Sequence, residues 1–166
     1  MKRHTIVSSM ILSICFLILI VVSVSAEELE VLKGVKTVKA VFDVRAGKPK
    51  ALDMQLKLIH DMFKDTRIRN IAGEPEFVLV FIGGSVKLIS TQTERFTPEE
   101  KEIVKHIAKR ISEMSKDGVN MEICLFAADV LGVDHASILP EIKHVPNGWI
   151  SLIGYQAKGY SIVPAY

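Results

Sequence analysis

The sequence is short of cysteine, tryptophan and net charge: its 166 residues include two Cys, one Trp and a formal charge of +2. Two cysteines cannot form the several bridges of a small disulfide scaffold. A charge of +2 is too small for a nucleic-acid binder held by phosphate contacts. No His or Cys pair has zinc-ligand spacing. Neither the full phosphate-loop pattern nor the dinucleotide glycine fingerprint occurs. Neither a metal nor a cofactor is therefore expected. Repeats, low-complexity tracts and internal linkers are also missing. At 49% hydrophobic residues the chain is no disordered polar polymer, and its length suits one domain.

What charge and cysteine there is lies unevenly. Lys2 and Arg3 are followed by an uncharged stretch from Thr5 to Ala26, apolar from Met10 to Val22, and small residues at Val24-Ser25-Ala26 precede Glu27. A basic start, an apolar centre and a small-residue cleavage site describe a secretory signal peptide over residues 1–26. The rival reading is an uncleaved anchor through residues 6–26, since the stretch is about as long as a membrane span. Cys15 sits inside the apolar run behind bulky Ile14, which does not suit a lipoprotein signal. Both readings place residues 27–166, one α/β domain, outside the cytoplasm, periplasmic or otherwise exported. Contact with the membrane is expected only if the segment stays uncleaved. Removing residues 1–26 takes two basic residues and no acidic one, leaving nineteen of each sign. It also leaves Cys124 alone, so no internal disulfide is possible. A lone exported thiol is buried and inert, paired between chains, or reactive.

Along the remaining chain, hydrophobic periodicity predicts alternating strands and helices. Residues 27–34 read as a solvated lead-in, and Lys36–Val44 as a strand. A helix from about Pro49 to Thr66 carries Leu52, Leu56, Ile59 and Phe63 on one face. The apolar run Glu76–Ile82 reads as a central strand buried on both faces, ended by Gly83-Gly84-Ser85. Val86–Ser90 follows as a short helix. Thr97-Pro98-Glu99-Glu100 carries a capping box and a first-turn proline, opening a helix with Ile103, Ile107, Ile111 and Met114 inward. Val119–Ile123 is a strand with Cys124 at its carboxyl end, and Leu125–Leu131 a short helix. Ile142–Val145 is a strand, Asn147-Gly148 opens a helix, and Tyr160–Val163 is the last strand. This order predicts a three-layer α/β sandwich: a mainly parallel five-stranded sheet with helices on both faces.

In such sheets ligands gather at strand carboxyl ends, where both Gly83-Gly84 and Cys124 fall. A thiol between a strand and the first turn of a helix suits a thiolate nucleophile. The competing reading is a packed core cysteine. His144, in the neighbouring strand region, is a candidate assistant to thiolate formation. Gly83 and Gly84 are candidates to cradle an anion through backbone N–H groups. His60 and His106 are expected at solvated or flanking helix positions, and His135 in a loop. Lys105, Lys109 and Arg110 alternate with Glu99, Glu102 and Glu113, a solvated helix face and not a nucleic-acid patch. Trp149, Tyr155, Tyr160 and Tyr166 crowd the carboxyl terminus as core or as a subunit contact.

Cys124, Leu131-Gly132, Leu139-Pro140, Val145, Gly148-Trp149, Gln156, Gly159-Tyr160 and Pro164 together resemble the carboxyl half of the DsrE/DsrF-like sulfur-relay family. Val41-Phe42-Asp43-Val44, Gly47 and Pro49-Lys50-Ala51-Leu52 resemble its front half, so the likeness covers nearly all of residues 36–165. The resemblance implies a compact α/β sandwich assembled as trimers or hexamers. It also implies a cysteine, here Cys124, that accepts sulfane sulfur as a persulfide and passes it to an acceptor thiol. The implied partners are sulfur donor and acceptor proteins or small thiols, with no nucleic acid. The chain departs from the pattern at Gly83, where many relatives have histidine, and in its exported location. The alternative function is a non-catalytic oligomeric binding or scaffold module with Cys124 buried in its core.

Overall fold

A computed structural model describes residues 30–166. The signal or anchor reading of residues 1–26 lies outside the described residues. After a 3-10 turn at Glu30–Leu32, the elements are β1 (Lys39–Val44), α1 (Pro49–Lys64), α2 (Thr66–Ala72), β2 (Glu76–Phe81), α3 (Pro98–Lys116), β3 (Asn120–Cys124), α4 (Leu125–Val130), β4 (Lys143–Val145), α5 (Gly148–Ala157) and β5 (Ser161–Ala165). Two further 3-10 helices lie at Gly83–Leu88, where the short helix expected at Val86–Ser90 forms earlier in the chain, and at His135–Ser137. The five strands form one sheet in the order β4-β3-β2-β1-β5. Every pairing is parallel.

The chain steps outward from β1 to β4 and then returns across the sheet to place β5 beside β1. Because crossovers are right-handed, this reversal sends the last helix to the opposite face. Helices α1 and α3 pack together on one face, and α5 covers β1, β2 and β3 on the other. The fold is thus the expected α/β sandwich, with a sheet parallel throughout.

Alternation along the strands sorts side chains between the faces. Phe77 on β2 meets Phe42 on β1 edge-on at 5.1 Å between ring centres, and Phe63 on α1 at 5.5 Å. Leu52, Leu56, Ile59 and Phe63 are all buried, as the period of the α1 sequence requires. On α3 the buried set is Val104, Ile107, Ile111 and Met114, with Ile103 at its margin. The capping box forms: the Glu100 N–H donates to Thr97 Oγ1 at 3.2 Å, and the Thr97 N–H to Glu100 Oε2 at 3.0 Å.

Three local expectations change. The α1 helix stops at Lys64 because Asp65 is extended, and its carboxylate then caps the short α2 by accepting the Arg67 N–H at 2.8 Å. The last strand runs on through Pro164 to Ala165. A proline is tolerated there because β5 is an edge strand and a missing N–H breaks no second ladder. His60 is buried, not solvated: its Nε2 lies 2.7 Å from Asp117 Oδ2 at the end of α3, which joins the two helices. Hydrogen bonds from Lys64 and then His60 hold the Asp117 carboxyl below its usual range.

Candidate functional site

A cleft of about 460 Å³ opens at the carboxyl ends of β2, β3 and β4. Ile82 and Gly83 enter it from the end of β2, and Cys124 from the end of β3. Phe126, Ala127, Val130 and Leu131 form the α4 side, and Asn147 and Trp149 the side at the start of α5. Phe126, Val130 and Trp149 are exposed around it, whereas Cys124 is only 3% exposed. The thiol is therefore recessed, yet it lines an open cleft rather than a sealed core. This is the strand-end position that parallel sheets use for ligands.

Two features hold Cys124 there. It is the residue immediately before α4 and takes an extended backbone. Glycine at 148 lets α5 start against it: a β-carbon at Gly148 would lie 3.0 Å from Cys124 Cβ and 2.9 Å from Ile82 Cδ1. Asn147 caps α5 by accepting the Trp149 N–H at 2.9 Å. Gly148→Ala is expected to cost about 1–3 kcal/mol by overpacking, and to slow alkylation of Cys124 by iodoacetamide. Urea denaturation and timed alkylation check the two effects.

The first turn of α4 offers Cys124 less than an open helix end would. The Phe126 N–H already donates to the Pro146 carbonyl at 3.2 Å. That bond ties the β4–α5 turn to α4, and it removes one of the first-turn donors that favour a thiolate.

The structure separates the four site residues expected from sequence. Gly83 reaches the cleft with Cys124 and has φ +61°, a turn conformation suited to glycine. Gly84 does not line the cleft; a β-carbon there would lie 2.7 Å from Gly47 Cα, so its role is close packing of two loops. Ser85 closes the same corner, its hydroxyl donating to Val44 O at 2.8 Å and Ile82 O at 3.0 Å. Strands β3 and β4 are neighbours, but the register pairs His144 with Ile123 and Val145 with Cys124. Alternation then puts His144 on the opposite face from the thiol. It stands against His135, ring centres 6.3 Å apart, and His135 Nε2 is 2.7 Å from Asp129 Oδ1. His144 therefore does not serve Cys124. Among the described residues, no group of three or more His, Cys, Asp or Glu is placed to hold a metal ion.

Two buried acids on the α5 face escaped the sequence reading. Asp43, 3% exposed at the end of β1, accepts from Arg45 Nε at 2.9 Å on each oxygen. That bond raises the Arg45 guanidinium. Glu122, two residues before Cys124 and 8% exposed, accepts the Tyr155 O–H at 2.7 Å through Oε1. The only advance signal for each was an acid at an otherwise apolar strand position.

Burial, and then the hydrogen bond to Glu122, push the Tyr155 phenol above its ordinary 10.0. The folded chain thus keeps a proton that the unfolded chain loses. Tyr155 contributes stability that is full below about pH 10 and declines as pH rises further. Tyr160 behaves alike, raised to about 12 chiefly by its bond to Glu76. Tyr155→Phe is expected to cost about 1–3 kcal/mol by stripping the donor from a buried carboxylate. It should also flatten the loss of stability above pH 10 in urea titrations, leaving the part due to Tyr160.

An all-parallel α/β sandwich with a recessed thiol lining a strand-end cleft defines a cysteine-bearing class of α/β protein. Within that class the chain belongs to the DsrE/DsrF-like family, which it matches over residues 39–164. An uncharacterized protein of Aquifex aeolicus (strain VF5) is 26% identical over 129 residues, 76% of this chain and 55% of that relative. The chain therefore spans little more than half of that relative's length. A protein of unknown function from Methanobacterium thermoautotrophicum shares the fold with a TM-score of 0.60 at 14% identity, over 76% of this chain and 98% of that one. The ychN protein of E. coli shares it with a TM-score of 0.55 at 12% identity, over 76% and 99%. At these identities the likeness is one of fold. At family level, membership supports a role of the sulfur-relay type.

Proposed function

We propose that this protein carries sulfane sulfur as a persulfide on Cys124 and passes it to an acceptor thiol. The carrying observation is that Cys124 lines an open strand-end cleft despite being almost fully buried. The Cys124 thiolate attacks the sulfane sulfur of a donor. A Cys124 S–S bond forms, the donor S–S bond breaks, and the donor's leaving group takes the electron pair. An acceptor thiolate then attacks the outer persulfide sulfur and frees the Cys124 thiolate. Gly83 borders the path to the thiol. The proposal includes export through residues 1–26 and donor and acceptor proteins or small thiols as partners.

Intact mass spectrometry of the mature chain, residues 27–166, in which Cys124 is the one cysteine, tests this reading after treatment with polysulfide or thiosulfate. Sulfur addition is expected on the wild type and not on Cys124→Ser. No addition from any donor sinks it. The 3% exposure of Cys124 favours a second reading, a non-catalytic binding module in which the thiol only packs, and that outcome would support it.

Self-association as a homo-oligomer, a trimer or hexamer, belongs to the same proposal. Ile150 and Ile153, each about two-thirds exposed and one turn apart on α5, support it. Light scattering at micromolar concentration should show a species larger than one chain; only monomer would refute it.

A further inference from the structure

The lining of the Cys124 cleft carries information about the sulfur donor. No charged side chain lines it. Its walls are Ile82, Ala127, Val130, Leu131 and two aromatics, Phe126 and Trp149. The one polar side chain, Asn147, is engaged through its oxygen in capping α5. The volume, about 460 Å³, is in the range of small-molecule sites.

An anionic donor meets this cleft badly. Thiosulfate is a dianion, and it would approach a thiolate where no cation compensates either charge. Desolvating an unpaired charge against apolar walls is costly, and two like charges repel more strongly there than in water. A neutral chain or ring of sulfur atoms has none of these penalties and gains from leaving water. We infer that the donor taken at this cleft is neutral, apolar sulfane sulfur, of which cyclo-octasulfur is the simplest form. The inference rests on Cys124 being the sulfur-accepting thiol.

The chemistry balances without an outside oxidant. The Cys124 thiolate attacks one ring sulfur, a Cys124 S–S bond forms and one ring S–S bond breaks. The electron pair moves to the far end of the opened chain, which stays attached to Cys124 as a terminal perthiolate. An acceptor thiolate can then remove the chain by attack at a sulfur beyond Cys124.

The test compares the reduced full-length chain with cyclo-octasulfur, added from ethanol, and with thiosulfate. Loading of Cys124 is followed by mass spectrometry, and each rate is divided by that donor's rate with free cysteine. A preference of about tenfold or more for cyclo-octasulfur is expected, from the missing charge compensation. Val130→Lys puts a cation on the exposed rim and should raise the thiosulfate rate and shrink the preference severalfold. Equal or faster loading by thiosulfate, or a preference unmoved by Val130→Lys, overturns the neutral-donor inference and leaves Cys124 as carrier. Absence of sulfur from Cys124 with either donor overturns both. Trp149, the only tryptophan, gives a second readout in the Cys124→Ala chain. Its fluorescence should change saturably with cyclo-octasulfur and not with thiosulfate. A signal that follows protein concentration instead assigns the cleft to a second copy of the chain and overturns the inference.

Discussion

Cys124→Ser is expected to end sulfur loading completely while changing stability by no more than about 1–2 kcal/mol, because two effects of the hydroxyl nearly cancel. A buried hydroxyl without a partner costs about 1–3 kcal/mol. Position 124 immediately precedes α4, however, and serine there can accept a first-turn N–H, a contribution of about 0.5–2 kcal/mol. The Phe126 amide is engaged with Pro146, which leaves Ala127 as the donor in reach. Cys124→Ala has neither effect and loses only a small buried sulfur, so it should be about 1 kcal/mol less stable than wild type. Intact mass after donor treatment and urea denaturation of both variants check this pair of results. Sulfur retained on the Cys124→Ser chain would place the carrier elsewhere. Loss of folding in both variants would make Cys124 a structural residue first.

Gly84→Ala is expected to destabilise the chain more than the equivalent change at either neighbouring glycine position. Its new β-carbon would meet Gly47 Cα at 2.7 Å, a backbone atom that cannot swing aside. The turn after β1 and the turn after β2 must then separate, at about 3 kcal/mol or somewhat more. Gly47→Ala presses the same contact from the other side at 3.3 Å, which a shift of a few tenths of an ångström relieves. Gly83→Ala has open space but a φ of +61°, which costs about 1–2 kcal/mol for a residue with a β-carbon. Urea midpoints should therefore fall furthest for Gly84→Ala. Because Gly83 lines the cleft and moves with Gly84, that variant should also load sulfur more slowly. Equal midpoints for all three would show that the two loops are not tightly packed.

The elements of this fold were legible because local signals agreed with one another. The capping box at Thr97 and the 3.6-residue stripes of α1 and α3 point to the same helices from independent evidence. The continuous apolar run at β2 likewise announces a strand covered on both sides. The short α2 was not legible, because it has a cap in Asp65 but no apolar stripe of its own. His60 was misplaced for a related reason: a polar side chain on a helix is read as solvated until its partner, Asp117, is brought over from 57 residues away.

The site divides in the same way. The sequence placed Cys124 at a strand's carboxyl end before a helix, and Gly83 at the end of the central strand, since both depend on local order alone. Whether the thiol was sealed or faced a cleft depended on Trp149 and Phe126, which arrive from two separate helices. Glu122 was invisible as a buried acid because its donor, Tyr155, comes from 33 residues away on α5. Asp43 has its donor, Arg45, only two residues on, but its burial is decided by the strands on either side of β1. By itself the sequence determined the alternation of strands and helices, the single cysteine after residue 26 and its position between β3 and α4. Those follow from periodicity, capping and composition, which act over a few residues. The tertiary structure alone decided the strand order, the face on which each residue lies, and the apolar character of the cleft. A register of one residue moves a side chain to the other face of a sheet. That register, set by long-range packing, turns His144 away from Cys124 and leaves the thiol among apolar walls.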